Sequence, residues 1–276
     1  MTKLLKVDFA RILKDKLFLV ACIVGGVFAF ITPLMYQIIF SSLGGAETEE
    51  MLMAMGLSIT AKSQFFDAFS LGNNFGLVLP VLISIIICKD FSQGTVRNKI
   101  IAGNTRTSIF ISMLITCFCT VFGIILVHAL LTMLVSLIFF QFQNDPFTAA
   151  DFGNFMLSVV FEVILYIFVS ALVCFLCAFT KNMGLAIVSY VAVIMIMSIV
   201  TSILQIAAMV FTEDSDIAKN IIDFLQNINV FNFSMVIGKV DKYSAEQILC
   251  CILSPLFGAT ALSFFGALKF NKKDLK

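Results

Sequence analysis

Charged residues are scarce in this chain: they make up 13% of its 276 residues, whereas hydrophobic residues make up 60%. A soluble domain has about 25% charged and about 45–50% apolar residues. A soluble core of this size needs no such excess of apolar side chains, so the composition indicates a protein whose solvent is lipid. The net charge of +1 leaves no global field of the kind that attracts nucleic acid.

The sequence also lacks the patterns of an enzyme site. It has no G-x-x-x-x-G-K-[ST] phosphate loop, no HExxH motif and no apparent Ser/His/Asp set. The eight cysteines fall in or at the edge of apolar runs, and none has zinc-ligand spacing or a partner placed for a disulfide. Cys174 and Cys177 have the spacing of a redox motif, but the surrounding apolar run favours packing. We therefore expect no catalytic residue, no metal site and no cofactor bound by this chain.

Six apolar runs are long enough to cross a bilayer, which takes about 20 residues in a helix. They predict an all-α polytopic membrane protein, a single transmembrane domain over residues 1–276. Before the first run, residues 1–17 alternate apolar and basic residues at helical spacing, which predicts an interfacial amphipathic helix. The segment 212–246 is too polar to span and predicts short interfacial or re-entrant helices. The predicted spans are 18–40, 71–88, 107–140, 155–179, 184–211 and 247–268.

Lysine and arginine are divided unevenly between the two sides of this arrangement. One set of segments carries 14 of them and the other carries 4. The basic set is 1–17, 89–108, 180–183 and 269–276, and the other set is 41–70, 141–154 and 212–246. By the positive-inside rule, both termini and residues 89–108 are predicted on the cytoplasmic side of a bacterial cytoplasmic membrane.

The polar segment 89–108 between the second and third spans has the features of a short helix between two turns. Gly94 allows a sharp turn out of the second span. Thr95 is predicted to cap the new helix. Gly103 is suited to end it in the left-handed conformation.

The predicted helix has an apolar and a polar face. Val96, Ile100 and Ile101 form the apolar face. Arg97 and Lys99 lie off that face. A helix of about 12 Å is marginal by itself, so we expect it to pack against something else.

This segment resembles the signature that follows the second span in permease subunits of ABC transporters of the ABC-2 type. The family has six spans, an elbow helix before the first, a coupling helix after the second and a re-entrant segment before the sixth. The chain is similar to that plan along its whole length. Met113 departs from the pattern, since the family often has lysine there. The matching residues are Asp90-Phe91-x-x-Gly94-Thr95-x-Arg97-x-x-Ile100-x-x-Gly103-x-Thr105-Arg106-x-x-Ile109-x-x-Ser112.

The resemblance implies a transporter of two permeases, of the same or a related chain, and two ATPase subunits that bind ATP and Mg²⁺. It implies that residues 89–106 hold a coupling helix that docks on the ATPase. Polar contacts are then expected from Asp90, Arg97 and Arg106. Apolar anchors are expected from Phe91, Val96 and Ile100, and the turns from Gly94, Thr95 and Gly103.

Two ionisable residues, His128 and Glu162, lie within predicted spans. Because burying such groups is costly, they are candidates for function. Together with Asn73 and Asn74, at the outer mouth of the second span, they are the candidates for a substrate path or proton relay. The alternative is a hydrogen-bonded neutral histidine, a glutamate at the membrane interface and asparagines that mark a helix end.

These expectations describe a transport subunit and not an enzyme. The predicted function is that of the permease of an ATP-driven exporter for an amphipathic substrate: a peptide antibiotic, a drug or a lipid. The plan resembles permeases of lantibiotic immunity and drug efflux. Expected partners are the ATPase, a second permease and membrane lipid. The alternatives are a secondary transporter driven by an ion gradient and a membrane scaffold or sensor that transports nothing.

Overall fold

The structure, a computed structural model, describes residues 2–42, 60–138, 149–180, 182–211, 216–238 and 242–272. These residues form eleven helices and no strand. The helices are α1 (Thr2–Lys14), α2 (Lys16–Ser42), α3 (Ala61–Phe69), α4 (Asn74–Ser92), α5 (Thr95–Ile101), α6 (Arg106–Ile138), α7 (Ala149–Thr180), α8 (Met183–Phe211), α9 (Asp216–Ile228), α10 (Val230–Val236) and α11 (Ala245–Lys272).

Six of the described helices are long and apolar enough to cross a membrane, which confirms the six predicted spans. They indicate a multi-pass membrane protein. Their candidate spanning portions are Lys16–Ile38, Phe75–Ser92, Arg106–Ile138, Phe152–Thr180, Met183–Ala208 and Ala245–Asn271.

The six spanning helices divide into a central and a peripheral set. In α4, α6 and α7, between 56% and 67% of the most apolar stretch is buried within the protein. In α2, α8 and α11 the buried share is only 17–22%. The central three therefore form the core, and the peripheral three present apolar side chains outward, as helices in contact with lipid do.

The amphipathic helix predicted over residues 1–17 ends three residues early, at Lys14. Asp15 interrupts it: its Oδ1 accepts the N–H of Leu17 at 2.9 Å, and its carbonyl accepts the N–H of Phe18 at 3.0 Å. This is the pattern of a residue that caps the start of the next helix. Asp15 thus separates α1 from the first span.

The connection 41–70 contains a helix that the sequence analysis missed. In α3, every residue except Lys62 is buried, and the rings of Phe65 and Phe66 lie 5.7 and 5.2 Å from that of Phe155 in α7. Thr60 and Ser63 form a capping box at its start. Nine residues that include Gln64 and Asp67 are too short and too polar to be recognised as a core helix by periodicity.

The short helices predicted within 212–246 are confirmed as α9 and α10. In α9, Ile217 is exposed and Ile222 is buried, whereas all of Val230–Ser234 in α10 is buried. Asn229 joins the two helices: its side chain accepts the N–H of Phe231 at 3.1 Å and donates to Thr201 in α8 at 2.9 Å. Their position at an interface or re-entrant depth remains a prediction.

Candidate functional site

The short helix α5 begins differently from the prediction. Gly94 occupies the capping position with φ of +69°, a left-handed conformation that favours glycine, and no side chain caps the helix. The prediction that Thr95 caps α5 is therefore wrong, since Thr95 is the first residue inside the helix. The glycine turn itself ends α4 and redirects the chain.

The end of α5 confirms the role predicted for Gly103. Its φ is +87°, its N–H bonds to the carbonyl of Ile100 at 2.9 Å, and the N–H of Asn104 bonds to that of Lys99 at 3.2 Å. This pair of bonds is the Schellman arrangement, which satisfies carbonyls left free at a helix end. The Asn104 side chain adds a third bond, to the Lys99 carbonyl at 3.0 Å.

Lys99 points into the protein, not away from it. Only 8% of the residue is exposed, and its Nζ lies 2.6 Å from Asp8 Oδ1 and 3.5 Å from Asp90 Oδ2. Asp90 also pairs with Arg11, and Asp8 accepts a hydrogen bond from Ser112 Oγ at 2.7 Å. The sequence analysis placed Lys99 off the apolar face, whereas these contacts join α5 to α1, α4 and α6.

A second ion pair extends this group. Lys89 Nζ lies 2.9 Å from Asp15 Oδ2, which ties the end of α4 to the junction of α1 and α2. We call the whole set the basal ion-pair cluster: Asp8, Arg11, Asp15, Lys89, Asp90 and Lys99. Its three acids and three bases balance, which is what allows charges to be buried together.

Burial and pairing oppose each other within the basal ion-pair cluster. Burial lowers the pKa of Lys99 below 10.5, although the neighbouring Asp8 acts in the opposite direction. Burial likewise lowers the pKa of Arg11, against the charges of Asp8 and Asp15. These cations depend on their carboxylate partners to remain charged inside the protein.

The three apolar anchors predicted for a partner pack within this chain. Val96 is 2% exposed, the ring of Phe91 lies 6.0 Å from that of Phe270 in α11, and Ile100 packs against the core. Ile101 instead is 74% exposed, beside the exposed Arg97. The surface that α5 offers to another molecule is therefore centred on Arg97 and Ile101.

Arg106 joins the start of α6 to the end of α11. Its Nη1 donates to the carbonyl of Asn271 at 2.8 Å. The Asn271 side chain returns a hydrogen bond to Thr107 Oγ1 at 3.3 Å. Arg106 therefore anchors the sixth span beside α5.

Glu162, in α7, lies in the interior. It is 1% exposed, and neither carboxyl oxygen has a hydrogen-bond partner among the described residues. The adjacent ring of Phe161 lies 5.4 Å from that of Phe233 and 5.2 Å from that of Tyr243. One turn further along α7, Tyr166 donates its hydroxyl to the carbonyl of Phe69 at 2.7 Å. The structure buries Glu162 among protein side chains, and its depth in the membrane stays a prediction.

The short helices α3 and α10 contact each other near Glu162, and we call them the cap helices. Ser70, just after α3, donates its hydroxyl to Met235 Sδ in α10 at 3.0 Å. The ring of Phe66 lies directly against Gly238, just after α10. Because Phe69 and Phe233 contact α7 on either side of Glu162, the cap helices cover this part of the core.

A polar cavity of about 200 Å³ lies beside the cap helices. Tyr243 belongs both to its wall and to the surroundings of Glu162. The Tyr243 hydroxyl is 2.7 Å from Ser158 Oγ and accepts the N–H of Gly238 at 2.9 Å. We call this space the amide cavity; its lining residues are Gln226, Asn227, Asn232, Phe233, Val236, Tyr243 and Gln247.

His128 lies elsewhere. It is 5% exposed, its Nδ1 is 2.9 Å from the carbonyl of Gly25 in α2, and its ring is 4.5 Å from that of Phe75. It lines an apolar cavity of about 300 Å³ between α1, α2 and α6. Within the described part of the chain, no hydrogen bond joins His128 to Glu162.

Asn73 and Asn74 lie where the chain passes from α3 into α4. Asn73 donates to the carbonyl of Asp67 at 2.5 Å, which ties the end of α3 to the turn that follows. Asn74 is the first residue of α4. Among the described residues, no group of three or more His, Cys, Asp or Glu side chains is placed to hold a metal ion.

Comparison with known families identifies one match. Residues 18–276 match the family described as "Protein of unknown function (DUF2705)". The match covers most of the chain, so the protein belongs to this family. No curated protein matches the chain.

Proposed function

We propose that this member of the DUF2705 family is the permease subunit of an ATP-driven exporter. In this proposal α5 is the coupling helix, α1 is the interfacial elbow helix, and both face the cytoplasm. The observation that carries the proposal is α5 itself: a helix of seven residues held from behind by buried ion pairs. The resemblance of residues 90–112 to ABC-2 permeases supports the same function.

The contacts of α5 suit it to transmit a force. It follows α4 directly and leads into α6, two of the three central spans. Lys99 binds Asp8 in α1 and Asp90 in α4, and separating a buried charge from its partner is strongly unfavourable. A push on α5 is therefore shared by α1, α4 and α6, which would move as a packed unit.

The exposed side of α5 suits a protein partner. Ile101 supplies an apolar contact and Arg97 a charged one on the same short helix. We expect the complementary groove on the ATPase to combine an apolar pocket with an acidic rim. Val96 and Ile100 support α5 from inside the permease and do not contact the partner.

The test is the double variant Arg97→Asp/Ile101→Asp, co-expressed with a candidate ABC ATPase subunit that co-purifies with the unchanged chain. We expect the variant neither to co-purify with the ATPase nor to support ATP-dependent transport. Aspartate at position 97 reverses the charge of the contact, and docking would strip water from the aspartate at position 101. Lys14→Asp, at an exposed lysine of α1, is the control for a change of charge on the same side of the protein. ATPase binding and transport equal to those of Lys14→Asp would refute the proposal.

Glu162 supports a second candidate, a secondary transporter driven by an ion gradient. Glu162 is a buried carboxyl group with no hydrogen-bond partner among the described residues, and buried carboxyl groups within spans are a common element of proton-coupled transport. Flux into vesicles distinguishes the two functions. Flux that persists without ATP and stops when the proton gradient is collapsed would favour the secondary transporter.

A further inference from the structure

We infer that Glu162 is the anionic subsite that receives the cationic group of an amphipathic cargo, with access through the amide cavity when the cap helices move. The inference rests on the proposed function, because it names the class of substrate for that exporter. Four observations carry it: the position of Glu162, its missing partner, its aromatic surroundings and the charge of the adjoining segments.

Glu162 is placed where a cargo would pass. It is the eleventh residue of the candidate span Phe152–Thr180, about 15 Å from the start of that span at 1.5 Å per residue. Within the described spans, no other acidic residue lies so far from a span end. Unlike Asp90, which lies near the end of α4 and is paired with Arg11 and Lys99, Glu162 is an acidic group deep in a central helix that a bound cation can reach.

Among the described residues, no side chain or backbone group is a hydrogen-bond partner of this carboxyl group. The hydroxyls of Tyr166, one turn along α7, and of Tyr243, whose ring contacts Phe161, are engaged elsewhere: the first with Phe69, the second with Ser158 and Gly238. A carboxylate in this position without a counter-charge is strongly disfavoured. A bound cation would supply the counter-charge that the described residues do not.

Aromatic rings around Glu162 add a second element of cation recognition. Phe161 and Tyr166 flank it on α7, and the rings of Phe233 and Tyr243 contact Phe161. Aromatic faces attract ammonium, guanidinium and similar cations. The same rings accept the apolar body of an amphipathic molecule, which a small inorganic ion lacks.

The approach to the site favours cations as well. The amide cavity is lined by Gln226, Asn227, Asn232 and Gln247 together with apolar and tyrosine side chains, and by no basic residue. The segments that the lysine and arginine count predicts on the side opposite the termini, 41–70, 141–154 and 212–246, carry twelve acidic and four basic residues, a net charge of −8. Such a field raises the local concentration of cations and repels anions.

The test uses two probes of the same shape and opposite charge, tetraphenylphosphonium and tetraphenylborate. Their binding is measured by equilibrium dialysis on the full chain in phosphatidylcholine nanodiscs, with empty nanodiscs as the background. We expect specific binding of the phosphonium only, weakened at least tenfold in Glu162→Gln and retained in Glu162→Asp. Tyr190→Phe, which removes another buried group without a partner among the described residues, should bind as the unchanged protein does.

Binding of the phosphonium by Glu162→Gln as tight as by the unchanged protein would overturn the inference, as would equal binding of the borate. If Glu162→Gln fails to fold, a labelling experiment on the unchanged protein takes the place of the variant. The reagent is dicyclohexylcarbodiimide, which modifies buried carboxyl groups. The phosphonium should slow labelling of Glu162 at least fivefold, and unaltered labelling would overturn the inference.

The binding test separates this inference from the proposed function. It uses the permease chain alone, so its outcome does not depend on an ATPase. Loss of phosphonium binding in Glu162→Gln would support the cation site. Full ATPase docking by the same variant would support the exporter independently. A phosphonium site in a chain that never binds an ATPase would retain the inference about Glu162 and refute the exporter.

Discussion

Replacing Lys99 with methionine is the most direct test of how α5 is held. Lys99 is 8% exposed and Asp8 is 2% exposed, so water screens little of their interaction. Methionine fills a similar volume but leaves Asp8 and Asp90 without their shared cation. Removing one partner of a buried ion pair costs about 3–5 kcal/mol, and we expect a loss of that size in the free energy of unfolding.

A double-mutant cycle separates the ion pair from general effects of substitution. Asp8→Asn and Lys99→Met should each destabilise the protein, whereas the double variant should be less destabilised than the sum, by about 0.5–3 kcal/mol. The reason is that removing both charges leaves neither one buried alone. Lys14→Met, at an exposed lysine, should change stability by less than about 0.5 kcal/mol.

The assay is equilibrium unfolding by denaturant in detergent micelles, analysed by linear extrapolation. Amide hydrogen exchange then locates the effect: in Lys99→Met, protection should fall first in α1 and α5, because the basal ion-pair cluster joins them. If Lys99→Met were no less stable than Lys14→Met, or if the Asp8 and Lys99 effects simply added, the argument that this pair fixes α5 would be refuted.

Two further predictions concern the same contacts and the cap helices. Burial raises the pKa of Asp15, but hydrogen bonds and charges, above all Lys89, outweigh it and hold the pKa below 3.8. The stabilisation by this pair is therefore present above pH 3.8 and lost as the pH falls below it, which pH-dependent thermal unfolding measures. Gly238→Ala should destabilise the protein by more than about 1 kcal/mol, because φ is +77° and the new methyl group would overlap the ring of Phe66.

Matched variants control both predictions. Asp15→Asn should remove the part of the loss below pH 3.8 that comes from this pair, while Asp8 and Asp90 keep their own ion pairs. An unchanged pH profile in that variant would contradict the assignment to Asp15. Gly123→Ala introduces the same methyl group in α6, where nothing lies within 4 Å of it. It should be neutral or slightly stabilising, and a loss equal to that of Gly238→Ala would contradict the packing argument.

Much of the fold follows from local patterns. Apolar runs of sufficient length predicted all six spans, because in lipid a backbone must satisfy its hydrogen bonds within a helix. The turn at Gly103 was also predictable, since glycine adopts a positive φ at little cost. The same reasoning identifies Gly94, and not Thr95, as the capping position of α5, because a sharp turn between two helices leaves no extended residue to act as a side-chain cap.

Other features depend on neighbours distant in sequence. Lys99 and Arg97 differ by two positions in a basic segment, yet only Lys99 is buried, because Asp8 lies 91 positions earlier in the chain and in contact. Helical periodicity did not predict that Ile100 packs against the core and Ile101 is exposed, because the two residues are neighbours on a single helical turn. Nor did it reveal α3, whose nine residues are held by aromatic contacts with α7.

The sequence by itself determined the membrane class, the six spans, the basic segment between the second and third, and the two ionisable residues inside spans. These depend on composition and short-range geometry, which any helix obeys in lipid. Only the tertiary structure decided which side of α5 faces outward, that the basal ion-pair cluster holds it, and that Glu162 lies beneath the cap helices with no hydrogen-bond partner among the described residues. Burial and charge pairing are properties of contacts between helices, and those contacts form only when the chain folds.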